Sequence, residues 1–143
     1  MPEFKKLNSS RTERVTLDQY LIDWDRAVSK PQKAVKDFLY PYWKHHRGVC
    51  EEFRIPGSKL RIDIINFQKN PPIAIEVSPV ATHRQYNAHF HRKSRLNFLA
   101  TVNRDLDKHK WCDANDITFV EVYDDDIDNL SPQWFLERYN VTL

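Results

Sequence analysis

Glycine is almost missing from this chain, at two residues in 143, and cysteine is equally scarce. So little glycine excludes collagen-like repeats and Gly-rich linkers. Cys50 and Cys112 stand far apart, outside any CxxC pattern. One chain therefore builds neither a disulfide framework nor a four-cysteine zinc site, and both are expected to be reduced thiols. No apolar run exceeds a few residues, so no segment spans a bilayer. The start Met1-Pro2-Glu3-Phe4-Lys5-Lys6 lacks the apolar core of a signal peptide. The expected compartment is the cytoplasm. What is present, 41% hydrophobic and 29% charged residues with 13% aromatics, is the composition of a folded soluble domain. The length suits a single one, spanning residues 1–143.

Charge is unevenly distributed along the chain. From Ala81 to Trp111, Arg84, Arg92, Lys93, Arg95, Arg104, Lys108 and Lys110 face only Asp105 and Asp107, a balance of +5. From Asp113 to Asp128 seven acids have no basic residue among them. A basic face beside an acidic one fits a phosphate backbone on one side and solvent on the other.

Residues 1–15 are polar enough to read as a loose N-terminal arm. Thr16-Leu17-Asp18-Gln19 reads as a capping box opening a helix that ends before Ser29. Ser29-Lys30-Pro31-Gln32 opens a second, with Val35, Phe38, Leu39, Tyr42 and Trp43 at helical spacing. From Val49 the period becomes two, with Val49, Glu51, Phe53 and Ile55 expected on one face and Cys50, Glu52 and Arg54 on the other. Leu60–Phe67 and Ile73–Val77 are two further strands, joined as a hairpin through Asn70-Pro71-Pro72. A long helix, beginning between Tyr86 and Ser94 and reaching Ala114, carries Leu96, Leu99, Val102 and Leu106. Ile117–Val122 is a buried strand, and Ser131-Pro132 opens a closing helix. The expected fold is α/β: a mixed central sheet of about four strands with flanking helices.

Asp63 and Glu76 sit inside the β-branched runs of the two hairpin strands, where a charged group is rarely buried unless paired. A hairpin closing about Lys69 and Asn70 sets them opposite each other. Two carboxylates at that separation require a positive charge. Arg61 or Arg54 supplies it if the pair is structural. A divalent metal supplies it if the pair is functional, since two carboxylates with waters make a hard-oxygen site suited to Mg²⁺ or Mn²⁺.

These residues, in the order Arg61-Ile62-Asp63, Ile75-Glu76-Val77, His83, Asn103-Arg104-Asp105 with Lys108 and Trp111, and Thr118-Phe119-Val120-Glu121-Val122, resemble the PD-(D/E)XK nuclease superfamily. The likeness is to its very-short-patch-repair-like branch and related phage endonucleases, and it extends more weakly back to Ser29-Lys30-Pro31-Gln32. It implies a restriction-endonuclease-like αβββαβ core and a Mg²⁺-dependent DNA endonuclease of repair or recombination, in the host cytoplasm if a phage encodes it; the lack of a base-reading module favours nicked, branched or mismatched DNA as its substrate. It also implies that Asp63 and Glu76 bind the metal and that the Val77 carbonyl completes the shell. Ser78 stands where the superfamily has lysine. His83, whose ordinary pKa of about 6.5 suits proton transfer, is the first candidate to replace it, with Lys93 and His91 second. Gln32 occupies the place of a glutamate that contacts metal or water, and Glu52 is the other candidate for that part. Arg84, His91, Arg92, Lys93, Arg95, Arg104 and Lys108 are the expected DNA contacts.

No helix-turn-helix or zinc finger is present to read bases. His109 and Cys112 share a helical face but lack further zinc ligands. Trp111 reads as a core anchor, and Trp24, Trp43 and Trp134 as exposed aromatics suggesting a homodimer. The rival function is a catalytically inactive nucleic-acid-binding module on the same fold.

Overall fold

The computed structural model describes residues 2–26, 28–78 and 95–143, with 95–102 described as backbone alone. Its elements are β1 (Glu3–Lys5), β2 (Thr12–Arg14), α1 (Lys30–Trp43), β3 (Val49–Arg54), β4 (Arg61–Asn66), β5 (Ile73–Ser78), α2 (Arg95–Ala114), β6 (Thr118–Tyr123) and α3 (Pro132–Tyr139). The central sheet runs β3-β4-β5-β6. Its first three strands are antiparallel, and β6 lies parallel to β5, as a strand following a crossover helix does. This is the expected α/β architecture with a mixed four-stranded sheet. No helix among the described residues is long and apolar enough to cross a membrane.

Two serines start helices as the sequence indicates. Ser29 Oγ accepts the Gln32 N–H at 3.2 Å, and Ser131 Oγ accepts the Trp134 N–H at 3.1 Å. Each satisfies a donor that has no partner within its helix.

The sheet has a core on either side. Val35, Leu39, Trp43, Trp134 and Phe135 of α1 and α3 pack on Val49, Ile64, Ile75, Val120 and Val122. On the other side Trp111 and Cys112 of α2 pack with Phe4, Cys50, Phe53, Ile62, Ile65 and Phe119. Trp111 is the anchor its position suggested. Trp43 and Trp134 are buried, at 0% and 7% exposure, so the exposed aromatics proposed to mediate a homodimer do not exist at those two positions. Leu106, expected on the apolar stripe of α2, is exposed.

The N-terminal residues are not a loose arm. β1 and β2 form a two-stranded sheet, and Phe4 inserts its ring among Phe53, Phe67 and Trp111. Lys5 joins it to the end of α2: its N–H donates to Asn115 Oδ1 at 2.8 Å, and its carbonyl accepts Trp111 Nε1–H at 2.7 Å.

The helix expected after Thr16 is replaced by one 3-10 turn, Leu17–Tyr20. A bridge to β3 and two buried side chains, not a helical ladder, satisfy much of the backbone that follows; the Ile22 N–H donates to the Val49 carbonyl at 3.0 Å. Lys36 Nζ donates to the carbonyls of Asp23 at 2.6 Å and Arg26 at 3.0 Å and to Glu51 Oε1 at 2.8 Å. Glu51 Oε2 accepts the Asp23 N–H at 2.7 Å. This wholly buried ion pair is hydrogen-bonded throughout, as its burial demands.

Side-chain alternation slips once in β3 and once in β4. Val49 belongs to the α1 core, whereas Phe53 and Ile55 belong to the α2 core together with Cys50. The expected common face for Val49, Phe53 and Ile55 is therefore wrong. In β4, Ile62 and Ile65 face α2 while Ile64 faces α1. The break in β3 falls at Glu52, whose φ of 49° is left-handed. Such a conformation costs a non-glycine residue about 1–3 kcal/mol and re-aims the side chains on either side. The register with β4 is the same before and after Glu52, so Glu52 stands opposite Asp63.

Candidate functional site

β4 and β5 pair in the register the sequence implied, with Asn66 opposite Ile73, Ile65 opposite Ala74 and Ile64 opposite Ile75. Asp63 and Glu76 are the next opposed positions, and there the ladder stops. Carboxylates take over from backbone carbonyls at this fork. The Asp63 N–H donates to Glu76 Oε1 at 3.2 Å, and the Val77 N–H donates to Asp63 Oδ2 at 2.9 Å. Each acid thus orients itself on the other's strand. Each carboxyl group senses the other, and both sense the charge of Lys108.

Burial is the main influence on both. It raises the pKa of Asp63, against the Val77 N–H and the charge of Lys108, which lower it. It raises that of Glu76 well above the ordinary carboxylate value, reinforced by the negative charge of Asp63 and opposed by Lys108. A buried acid next to a second acid holds its proton because ionising both concentrates charge in a poorly solvated place.

The cation that meets this pair is Lys108, not Arg54 or Arg61. Its Nζ lies 3.2 Å from Glu76 Oε2, with the lysine side chain 16% exposed. Arg54 and Arg61 are exposed at the end of the β3–β4 ladder. Lys108, expected among the DNA contacts, has its ammonium on the Glu76 carboxylate in this structure. The sequence held the signal for this. Lys108 lies one turn before Trp111 and Cys112, both buried against the sheet, so it shares their face of α2. Cys112 registers the same neighbourhood; burial, then Glu76 and Asp113, pushes its thiol up to about 12.

Gln32 and Glu52 come together as a pair. Gln32 is buried on α1, one turn before Lys36, and its Nε2 donates to Glu52 Oε1 at 3.1 Å. The negative charge of Glu52 raises the pKa of Asp63, so Glu52 lies within electrostatic reach of the fork. Glu51, with both oxygens engaged by Lys36 and Asp23, is structural.

Ser78 is buried at the end of β5. Arg104 is exposed on α2, and Arg95 is its first residue. His83, Arg84, His91, Arg92 and Lys93 lie outside the described residues.

Among the described residues no group of three or more His, Cys, Asp or Glu side chains forms a cluster able to hold a metal alone. The donors at the fork nevertheless suit a hard cation that keeps most of its water ligands, since Mg²⁺ is commonly held by one or two carboxylates. Glu121 adds an observation that sequence reasoning missed. It pairs with Glu76 across β5 and β6, and its buried Oε2 has no hydrogen-bond partner.

Comparison of the chain with protein-family models, curated proteins and solved structures gives no match.

Proposed function

We propose that this protein is a metal-dependent DNA endonuclease that hydrolyses phosphodiester bonds at nicked, branched or mismatched sites. The observation that carries this is the fork itself: Asp63 and Glu76, aimed by each other's backbone, are the acids at which the β4–β5 ladder opens. Opening a ladder between two apolar strands sacrifices hydrogen bonds, and a buried like-charge pair costs more. A function at that point accounts for both.

Asp63 and Glu76 are the residues that would hold Mg²⁺ or Mn²⁺, with Glu52 or Gln32 contacting its water and Val77 adjoining through its backbone. Such an ion polarises a phosphoryl oxygen and lowers the pKa of bound water. The side chains themselves do the rest. Gln32 holds Glu52 with its carboxylate oxygen engaged, Val77 N–H fixes Asp63, and the exposed Arg104 attracts the phosphate backbone. His83 and Lys93 remain the proposed groups for proton transfer to the leaving oxygen or from the attacking water. Arg84, His91, Arg92 and Arg95 complete the proposed DNA contacts.

Ser78 in the place of a lysine favours the second reading, a nucleic-acid-binding module without activity. Incubation with nicked, branched and intact duplex DNA in Mg²⁺ or EDTA, alongside Asp63→Ala and Glu76→Ala, separates the two. Metal-dependent cutting lost in both variants supports the nuclease. Retained binding with no cutting by any form supports the module, and neither binding nor cutting overturns both.

A further inference from the structure

We propose that Lys108 and a divalent cation exclude each other at Glu76, and that the displaced ammonium transfers to the phosphate being cut. This rests on the nuclease reading above.

Glu76 divides its two oxygens. Oε1 takes the Asp63 N–H, so Oε2 is the oxygen left for a cation, and Lys108 Nζ sits 3.2 Å from it. An ammonium and a divalent ion on one oxygen repel each other strongly, because so poorly hydrated a place screens their charges little. One must leave when the other arrives.

Lys108 is built to leave, as comparison with Lys36 makes plain. Lys36 is wholly buried, and two backbone carbonyls and a carboxylate hold it. Lys108 reaches solvent at 16% exposure, and its one ion-pair partner among the described residues is Glu76. Its long stem allows the head to swing without moving α2. Arg104 lies one turn earlier on the same side of the helix and is exposed. A phosphate drawn to Arg104 meets the released ammonium, and a compact positive charge there stabilises the negative charge that develops on the oxygens during hydrolysis.

The exchange has two consequences of opposite sign, which a purely structural lysine would not produce together. Without the ammonium, the carboxylates attract metal more strongly; without it, the phosphate loses a donor. Calorimetric titration of DNA-free protein with Mn²⁺ should show Lys108→Met binding about five-fold or more tightly than wild type, with Lys108→Arg close to wild type. At saturating Mn²⁺, Lys108→Met should cleave DNA about a hundredfold more slowly. Lys108→Gln serves in the same assays if the methionine variant does not fold. Equal or weaker Mn²⁺ binding by the neutral variant overturns the exclusion, and wild-type cleavage at saturating metal overturns the transfer to phosphate. In either case cutting by the wild type leaves the nuclease reading standing. Failure of every form to bind Mn²⁺ removes both.

Discussion

Asp63 and Glu76 hold each other across the mouth of the β4–β5 hairpin, the Asp63 N–H donating to Glu76 Oε1 at 3.2 Å while the Asp63 carboxylate accepts the next N–H along from Glu76's strand. Two acids serve here as hydrogen-bond acceptors for a sheet that has run out of paired carbonyls. Their placement is costly in the absence of a cation, and the cost has measurable signs.

The first is a pH dependence. Burial and the charge of Asp63 raise the pKa of Glu76, so the folded protein binds that proton more tightly than the unfolded chain. Its contribution favours folding below the ordinary carboxylate pKa and is lost as pH rises through the raised value. In metal-free buffer, the stability of Glu76→Gln relative to wild type should therefore increase as pH climbs from the acid range toward neutrality. Urea unfolding of both proteins at a series of pH values checks this; a difference independent of pH contradicts it.

Glu52 offers a second test, because its left-handed backbone reverses the usual preferences of a strand. Valine is normally among the best strand residues and glycine among the worst. At φ 49° the order should invert, with Glu52→Val less stable than Glu52→Gly by about 1–3 kcal/mol. Chemical denaturation of the two variants decides it, and a more stable valine protein would mean that the alternation slip does not depend on this residue's backbone.

The N-terminal hairpin should contribute to global stability through one ring. Phe4 is 8% exposed among Phe53, Phe67 and Trp111, and its truncation to alanine should cost about 3 kcal/mol. An unfolding midpoint unchanged in Phe4→Ala would return these residues to the status of a loose arm.

Much of this arrangement was legible in the sequence, for identifiable reasons. Ser29 and Ser131 announce helix starts because a short side-chain oxygen ahead of a proline has few other uses. The β4–β5 register follows from where the turn residues lie, and it sets Asp63 opposite Glu76. What escaped detection depends on contacts remote in sequence. A period-two pattern carries no mark of a single left-handed residue, so the slip at Glu52 was invisible and Phe53 was placed on the wrong face. The N-terminal segment has too few apolar residues to show a period, yet Phe4 suffices because an aromatic cluster from three other elements receives it. The backbone around Asp23 and Arg26 looked helical because nothing local reveals that Lys36 and Glu51 satisfy it from elsewhere. Charge alone marks Lys108 as a phosphate contact; its spacing from Trp111 and Cys112 also marks it as facing the sheet, where it meets Glu76.

The most direct test of the site is a double-mutant cycle on DNA cleavage in Mg²⁺, using Asp63→Asn, Glu76→Gln and the two combined. Both substitutions preserve shape while removing charge. If the two acids act as one unit, each single change should abolish almost all cutting, and the double variant should be no slower than the worse of the two. Cutting that persists in either single variant, or rate losses that multiply as for independent sites, would contradict a shared catalytic role for the pair.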